Sequence, residues 1–254
     1  MMDLFEKCFK PSLASELKEN GLYPYFHALE SRQAPEVIME GKRRIMLGSN
    51  NYLGLTTCPE VVEAGIRAFE QYGTGCSGSR FLNGTLEMHL ELEDEVDIYM
   101  GTFSKSLASL GGYMASCNEV AEYVRHNSRP FIFSASITPA SCATALAALR
   151  YLEKHPELVD RLRSLSAYAR EGLRRERVKI IESTTPIIPL YTYTVENTLT
   201  AARKLYDAGV YVNPVLPPAT PPAECLLRTS YMATLTEPLI DEAVGIIGSV
   251  LGEK

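Results

Sequence analysis

The stretch of sequence that decides the fold runs from Met100 to Gly112 and reads MGTFSKSLASLGG. A short apolar run leads into it, Lys105 stands between hydroxyl side chains, and a glycine pair closes it. Thr102 and Ser104 can donate hydrogen bonds to a phosphate, and a lysine amine beside such an anion site can attack an aldehyde. The stretch therefore predicts an imine-forming lysine. Because short motifs also match by chance, an exposed loop lysine without a chemical role is the alternative.

The hydrophobic pattern predicts alternating strands and helices on both sides of this stretch. In the first half it predicts strands at 43–47, 96–100, 112–116 and 130–134 and helices at 59–71 and 139–152. In the second half it predicts helices at 156–176 and 198–208, strands at 187–193, 210–212 and 226–230, and a last helix opened by Thr236. Within the helix at 59–71, we expect Val62, Ile66 and Phe69 to lie on one face.

These elements suggest a division of the chain. The first half alternates strands and helices in the manner of an α/β protein, whereas the second half is typical of a small α+β domain. We therefore expect an N-terminal segment at 1–47, a large domain at 48–152 and a small C-terminal domain at 153–254.

The composition excludes several classes of partner. The chain has 254 residues, of which 46% are hydrophobic and 22% charged, as expected of a globular protein with a sizeable core. Its net charge of -6 and pI near 5.4 provide no basic surface for nucleic acid. The six cysteines are widely spaced, without a CxxC pair or a nearby histidine at metal-ligand spacing, so we predict no metal site. No run is long enough to cross a bilayer, and the first ten residues do not resemble a signal peptide, so we expect a cytoplasmic location.

Five motifs in order along the chain resemble those of the α-oxoamine synthases, which are pyridoxal-phosphate enzymes of fold type I, the aspartate aminotransferase-like fold. The segment at 100–112 is similar to the cofactor-lysine signature of the family. The other four are NNYLGL at 50–55, the glycine-rich loop and RFLNGT at 73–85, FIFSAS at 131–136, and the pair Pro217-Pro218 with LRTSYMA at 227–233. The resemblance implies an α/β protein with a large, mostly parallel sheet domain that binds the cofactor and a small C-terminal domain.

The resemblance also implies roles for single residues toward the cofactor. Lys105 would be the residue that binds pyridoxal 5'-phosphate, and it would also be the catalytic base. Thr102 and Ser104 would contact the cofactor phosphate. Ser134 would reach the cofactor phosphate of the neighbouring subunit, because family members act as homodimers with shared sites.

Two further residues would hold the amino acid substrate. The resemblance assigns Asn51 and Arg228 to the substrate carboxylate. A planar, two-pronged guanidinium suits that task better than an ammonium group does. Without the resemblance, Arg228 would be read as a solvated charge near a strand.

The reaction implied is a decarboxylative condensation of an amino acid with an acyl-CoA. The serine-rich form of the lysine segment, TFSKSLAS, is similar to that of members that use L-serine and a long-chain acyl-CoA to give 3-ketosphinganine. The alternatives are glycine or alanine with a short acyl or pimeloyl thioester, and an inactive homologue that serves as the partner of an active subunit.

One block of the family pattern has no counterpart. Family members carry a ring-stacking histidine, an aspartate paired with the pyridine nitrogen and a further histidine between the glycine-rich segment and the lysine, and this sequence has none of them. The gap falls near 91–96, where strands of the parallel sheet are expected. Either the block belongs to the protein and is missing from this sequence, or it has been deleted. A deletion predicts weak cofactor binding, because the charge that keeps the pyridine nitrogen protonated is lost.

Overall fold

The computed structural model describes residues 12–75, 84–94, 100–114, 116 and 118–252. The helices of this part of the chain are α1 (Leu13–Glu19), α2 (Pro59–Tyr72), α3 (Glu87–Asp94), α4 (Asn118–Asn127), α5 (Arg129–Phe133), α6 (Pro139–Lys154), α7 (Glu157–Arg175), α8 (Val195–Ala208) and α9 (Glu237–Leu251). The strands are β1 (Glu36–Met39), β2 (Lys42–Met46), β3 (Met100–Thr102), β4 (Gly112–Met114), β5 (Ile187–Tyr193), β6 (Val210–Tyr211), β7 (Asn213–Val215) and β8 (Cys225–Ser230). No helix within these residues has the length and apolar character needed to cross a membrane.

The described strands form three small sheets. The first has the order β1-β2-β6, the second is the pair β3-β4, and the third has the order β5-β8-β7. The strands β2 and β6 run parallel, while the other described pairs are antiparallel. The pairing of β2 with β6 ties the early part of the chain to its second half, and β8 lies in the centre of the third sheet.

Most of the predicted elements are confirmed, and one is wrong. The strand predicted at 130–134 is the short helix α5. A proline in the first helical turn explains the difference, because its fixed φ suits a helix start and its missing N–H is not needed there. A stretch of five residues carries too little periodicity to separate a strand from a helix. Most of the strand predicted at 96–100 lies outside the described residues, since 95–99 are not among them.

The buried face of α2 is not the face that carries Ile66 and Phe69. Its buried residues are Val61, Gly65 and Ala68, whereas Ile66 and Phe69 are about half exposed. A Cβ on Gly65 would lie only 2.8 Å from the Cγ2 atom of Thr144 on α6. The small side chains of α2 thus allow close packing against the alanine-rich α6, and this close packing decides which face is buried.

The largest part of the core lies between the first and third sheets and the helices α7, α8 and α9. It includes the fully buried side chains of Ile45, Leu47, Leu190, Leu227 and Ile247. Each such side chain contributes about 1.5–3 kcal/mol relative to an exposed one. This core gives β8 a rigid backing.

Two smaller apolar clusters support the segment around Lys105. One contains Leu53, Leu55, Val61, Ala148 and Leu162, and the side chains of Tyr52, Leu107 and Ala108 pack against it. The other is built on Phe103, Cys142 and Leu146, and Leu107 packs against it as well. Leu107, two residues after the lysine, therefore connects the two clusters.

Candidate functional site

The lysine loop, residues 103–111, leaves the end of β3 and returns to β4. Phe103 is 1% exposed and anchors the loop in the core, while Lys105 is exposed. The Phe103 amide donates to the Gly111 carbonyl at 3.0 Å, and the Ser109 amide donates to the Phe103 carbonyl at 3.0 Å. The Lys105 carbonyl accepts from the Ala108 amide at 3.2 Å. The loop is thus closed by its own backbone hydrogen bonds, and the lysine side chain is left accessible.

Two hydroxyl groups accompany the lysine. The Oγ1 atom of Thr102 and the Oγ atom of Ser104 lie 2.9 Å apart, and both residues are exposed. The Ser104 amide also donates to Thr102 Oγ1 at 3.3 Å. Paired, accessible hydroxyls and a nearby amine form a donor set that suits a phosphate and an aldehyde.

Helix α6 fixes the far side of the lysine loop, a contact that the motifs in the sequence do not predict. Ser109 Oγ donates to the Ser141 carbonyl at 2.6 Å, and Thr144 Oγ1 donates to Ser109 Oγ at 2.9 Å. These bonds fasten the loop to the first turns of α6. The only related signal in the sequence is that the lysine segment is rich in serine. The sequence does not identify which of these serines forms hydrogen bonds with α6.

Arg228 lies on β8, and its guanidinium is held by two side chains of the segment at 50–52. Arg228 Nη2 donates to Asn50 Oδ1 at 2.7 Å and to the hydroxyl oxygen of Tyr52 at 2.8 Å. The Tyr52 hydroxyl in turn donates to Asn50 Oδ1 at 3.0 Å. All three residues are half-buried. Two segments far apart in the sequence therefore meet around one guanidinium.

Asn51 has a different environment from the one predicted for a substrate-binding residue. It is 6% exposed, and its Nδ2 atom donates to the Gln33 carbonyl at 3.2 Å and to Thr56 Oγ1 at 2.6 Å. Its side chain thus holds its own loop together, and the neighbouring Asn50 contacts Arg228. The sequence could not separate these roles, because two adjacent asparagines in an irregular turn carry no periodic signal.

Gly54 completes this turn. It has a φ of 72°, and a Cβ at this position would collide with the side chain of Thr234. Glycine is the residue that tolerates both the left-handed backbone and the close approach. The glycine of the NNYLGL motif is therefore needed to fold the turn that carries Asn50 and Tyr52.

The lysine loop and the arginine group are connected through one apolar cluster. Tyr52, which binds Arg228, packs against the cluster that also receives Leu107 and Ala108 of the lysine loop. Ser134 is an exposed residue at the end of α5. Its predicted contact with a neighbouring subunit remains a prediction.

His89 has a structural environment. It is 3% exposed on α3, and its Nδ1 atom accepts from the Leu86 amide at 3.3 Å. Within the described residues, no group of three or more histidine, cysteine, aspartate or glutamate side chains could hold a metal ion.

Comparison with solved structures defines the fold. The chain superimposes on serine palmitoyltransferase from S. paucimobilis with a bound PLP–myriocin aldimine, with a TM-score of 0.89, 23% identity and 98% of each chain covered. This likeness places the chain in the fold of the pyridoxal-phosphate-dependent transferases of type I. Residues 70–247 match the family described as aminotransferase class I and II. The chain belongs to this family.

Two relatives show to which group within this family the chain is related. The chain is 31% identical to serine palmitoyltransferase of Sphingobacterium spiritivorum over 378 positions, with 95% of each sequence covered. It is 24% identical to 8-amino-7-oxononanoate synthase of Geobacter metallireducens over 374 positions, covering 92% of this chain and 95% of the relative. Both relatives are α-oxoamine synthases, and the chain is related to that group.

The length of these alignments bears on the missing block. The first alignment runs over 378 positions, more than the 254 residues of the chain, so it includes positions of the relative that have no residue here. Within the described residues, α3 ends at Asp94 and β3 begins at Met100. These two elements flank the place where the motifs indicate the gap.

Proposed function

We propose that the chain is a pyridoxal-phosphate-dependent acyltransferase that condenses L-serine with a long-chain acyl-CoA, releasing carbon dioxide and forming 3-ketosphinganine. The observation that carries the proposal is Lys105, accessible in a closed loop beside the paired hydroxyls of Thr102 and Ser104. The 31% identity to a serine palmitoyltransferase supports L-serine as the amino acid.

Pyridoxal 5'-phosphate fits the donor set at this loop. The Lys105 amine would attach the aldehyde, and the hydroxyls of Thr102 and Ser104 would hold the phosphate together with Ser134 of a neighbouring subunit. When bound, the cofactor supplies a ring that draws electrons away from the α-carbon of the amino acid. Lys105 Nζ, free of the aldehyde once the amino acid has replaced it, would take the proton from that carbon.

Arg228 would hold the carboxylate of the amino acid during this proton transfer. A fixed carboxylate orients the α-carbon and its hydrogen toward the lysine, which removes the entropic cost of alignment. The same carboxylate later leaves as carbon dioxide, so Arg228 holds the group that is lost. Asn51 would contribute to this site by stabilising the loop that carries Asn50 and Tyr52.

We propose that the protein acts in the cytoplasm as a homodimer whose site is shared between the two subunits. In this arrangement, residues 48–152 would bind the cofactor, 153–254 would form the small domain, and 1–47 would be an N-terminal segment. The exposed apolar side chains of Phe131 and Phe133 next to Ser134 suit a contact with a neighbouring subunit.

Two other functions each have an observation in their favour. The 24% identity to an 8-amino-7-oxononanoate synthase favours a related enzyme that uses glycine or alanine, of that type or of the 2-amino-3-ketobutyrate CoA ligase type. The absence of the family's aspartate and histidines from the sequence favours an inactive homologue that acts as a partner subunit.

The test combines labelling with turnover. Purified protein is mixed with pyridoxal 5'-phosphate, reduced with borohydride and digested, and the modified peptide is located by mass spectrometry. We expect the label at Lys105, its loss in Lys105→Ala, and its retention in the matched control Lys204→Ala on the exposed face of α8. Carbon dioxide release is then measured with serine, glycine and alanine against a panel of acyl-CoA chain lengths.

The outcomes separate the three functions. Release that is greatest with L-serine and a long acyl chain supports the proposal, and release with glycine or alanine and a short or pimeloyl chain supports the related enzyme. A label without turnover for any pair supports the inactive partner. If Lys105 takes no label at saturating cofactor, the proposal is wrong.

A further inference from the structure

We infer that Asn50 and Tyr52 are positioning residues that hold the Arg228 guanidinium with neutral groups only, so that its positive charge remains available for the carboxylate of the substrate. The inference rests on the proposed function, in which Arg228 binds that carboxylate. It adds two residues that none of the motif assignments included.

The three side chains form a closed triangle of hydrogen bonds. Arg228 Nη2 lies 2.7 Å from Asn50 Oδ1 and 2.8 Å from the Tyr52 oxygen, which are themselves 3.0 Å apart. Because the two acceptors are neighbours, they engage one corner of the guanidinium. No acceptor for Nε or Nη1 is found among the described residues, so these donors remain for a ligand.

The neutrality of this group contrasts with the surroundings of Arg43 and Arg174. Arg43 pairs with Glu36 and Glu242, and Arg174 pairs with Glu171 and Glu182. Arg228 has no carboxylate partner within the described part of the chain. It is also half-buried, where a charge interacts more strongly with an incoming anion than it does in bulk water.

The surroundings make the triangle rigid. Arg228 is in the central strand of the third sheet, opposite Pro189 on one side and Asn213 on the other. Tyr52 packs against an apolar cluster, and Asn51 fixes the turn through Gln33 and Thr56. The adjacent asparagines thus have different roles. Asn51 stabilises the turn, and Asn50 binds the arginine.

An amide at position 50 is therefore preferred over a carboxylate. Asparagine accepts hydrogen bonds through Oδ1 but carries no charge. An aspartate of nearly the same shape would form a charge-assisted pair with Arg228 and compete with the substrate. The substitution Asn50→Asp consequently changes the charge of the site with little change in its volume.

The experiment measures the reactivity of Arg228 toward phenylglyoxal, which attacks guanidinium groups, by peptide mass spectrometry with and without L-serine. In the unaltered chain we expect Arg228 to react and L-serine to slow the reaction. In Asn50→Asp we expect Arg228 to react roughly tenfold more slowly and L-serine to have no further effect, because the new carboxylate occupies the guanidinium. Arg174, which is already paired with carboxylates, is the internal control and should react equally in both proteins.

A second variant keeps the test decisive if Asn50→Asp does not fold. Tyr52→Phe removes one neutral acceptor without adding charge, so Arg228 should keep its reactivity and its protection by L-serine. In turnover, Tyr52→Phe should raise the KM for L-serine by roughly threefold with little change in kcat, and Asn50→Asp should raise it by roughly tenfold or more. A purely structural role would instead lower stability and leave the KM for L-serine unchanged in both variants.

The inference and the proposed function can fail separately. If Lys105 takes the cofactor label but Asn50→Asp leaves both Arg228 reactivity and the L-serine KM unchanged, the inference is wrong and the function stands. If Lys105 takes no label while Asn50→Asp still suppresses Arg228 reactivity, the function is wrong and the neutral support of Arg228 stands.

Discussion

The ring of His27 stacks on the ring of Tyr206, with centroids 4.1 Å apart and planes inclined by 18°. The contact attaches the segment before β1 to helix α8. The guanidinium of Arg44 also packs on the ring of Tyr206, with its central carbon 4.2 Å from the ring centroid. Tyr206 thus contacts both an imidazole and a cation, which fixes His27 and Arg44 against helix α8.

Glu40 completes this contact and should make it sensitive to acid. Its carboxylate lies 3.1 Å from His27 Nδ1 and accepts from the Tyr206 hydroxyl at 2.8 Å. These bonds, first that from His27 and then that from Tyr206, lower the pKa of Glu40 below the usual 4.5. A lowered pKa stabilises the fold above about pH 4.5, and that contribution is lost as the pH falls through the folded-state value.

Replacement of Glu40 by glutamine should therefore flatten the acid limb of the stability profile. We expect urea unfolding between pH 3 and 7 to show a smaller loss of stability toward low pH in Glu40→Gln than in the unaltered chain. Glu196→Gln, an exposed position on α8, is the matched control and should keep the original slope. An unchanged slope in Glu40→Gln would show that the carboxylate contributes nothing to the contact.

Tyr206 should govern part of the alkaline limb. Burial, and then the hydrogen bond to Glu40, raise its pKa to about 12. A raised pKa means that the stabilisation is complete below about pH 10, the value of free tyrosine, and is lost as the pH rises to about 12. We expect Tyr206→Phe to lose less stability than the unaltered chain between pH 10 and 12, as measured by urea unfolding. The fully buried Tyr231, whose pKa is likewise raised to about 12, should leave part of the slope in place.

The packing of α2 against α6 should tolerate no added methyl group. A Cβ on Gly65 would approach Thr144 Cγ2 at 2.8 Å, so Gly65→Ala should destabilise the chain by about 1–3 kcal/mol. Gly245 on α9 is the control, because a Cβ there would meet nothing within 4 Å. At that position alanine should stabilise the chain by about 0.5–1 kcal/mol. Effects of the same sign in the two variants, measured by denaturant unfolding, would contradict this account of the packing.

The second half of the chain could be predicted well from its sequence. The strand predicted at 187–193 occupies those residues, and the helix predicted to stop at Gly209 ends there in a left-handed cap. Glycine at a helix end and a proline in the first turn after Thr236 are local signals that do not depend on distant contacts. Elements with such signals can be read without knowing their neighbours.

Two features of the fold, the buried face of α2 and the helix α5, lack such local signals. The buried face of α2 depends on Thr144, which lies far along the chain, and α5 is too short for a periodic signal. The same holds for the candidate site. Lys105 and Arg228 are recognisable within their own motifs, but the contact between Arg228 and Asn50 depends on how β8 meets a turn more than 170 residues earlier. Local sequence patterns do not specify contacts between segments that lie so far apart in the chain.

Replacing Arg228 with lysine tests whether the site needs a guanidinium or only a positive charge. Lysine keeps the charge, but its single ammonium cannot bind the two acceptors of the turn and still present a two-pronged face to a carboxylate. We expect Arg228→Lys to raise the KM for L-serine by roughly tenfold or more. The cofactor label at Lys105 should be retained, because Lys105 lies on the loop between β3 and β4 and Arg228 lies on β8. Arg203→Lys on the exposed face of α8 is the matched control and should leave KM unchanged. A normal KM in Arg228→Lys would mean that the substrate carboxylate binds elsewhere, since no other change in the site accompanies the loss of the guanidinium.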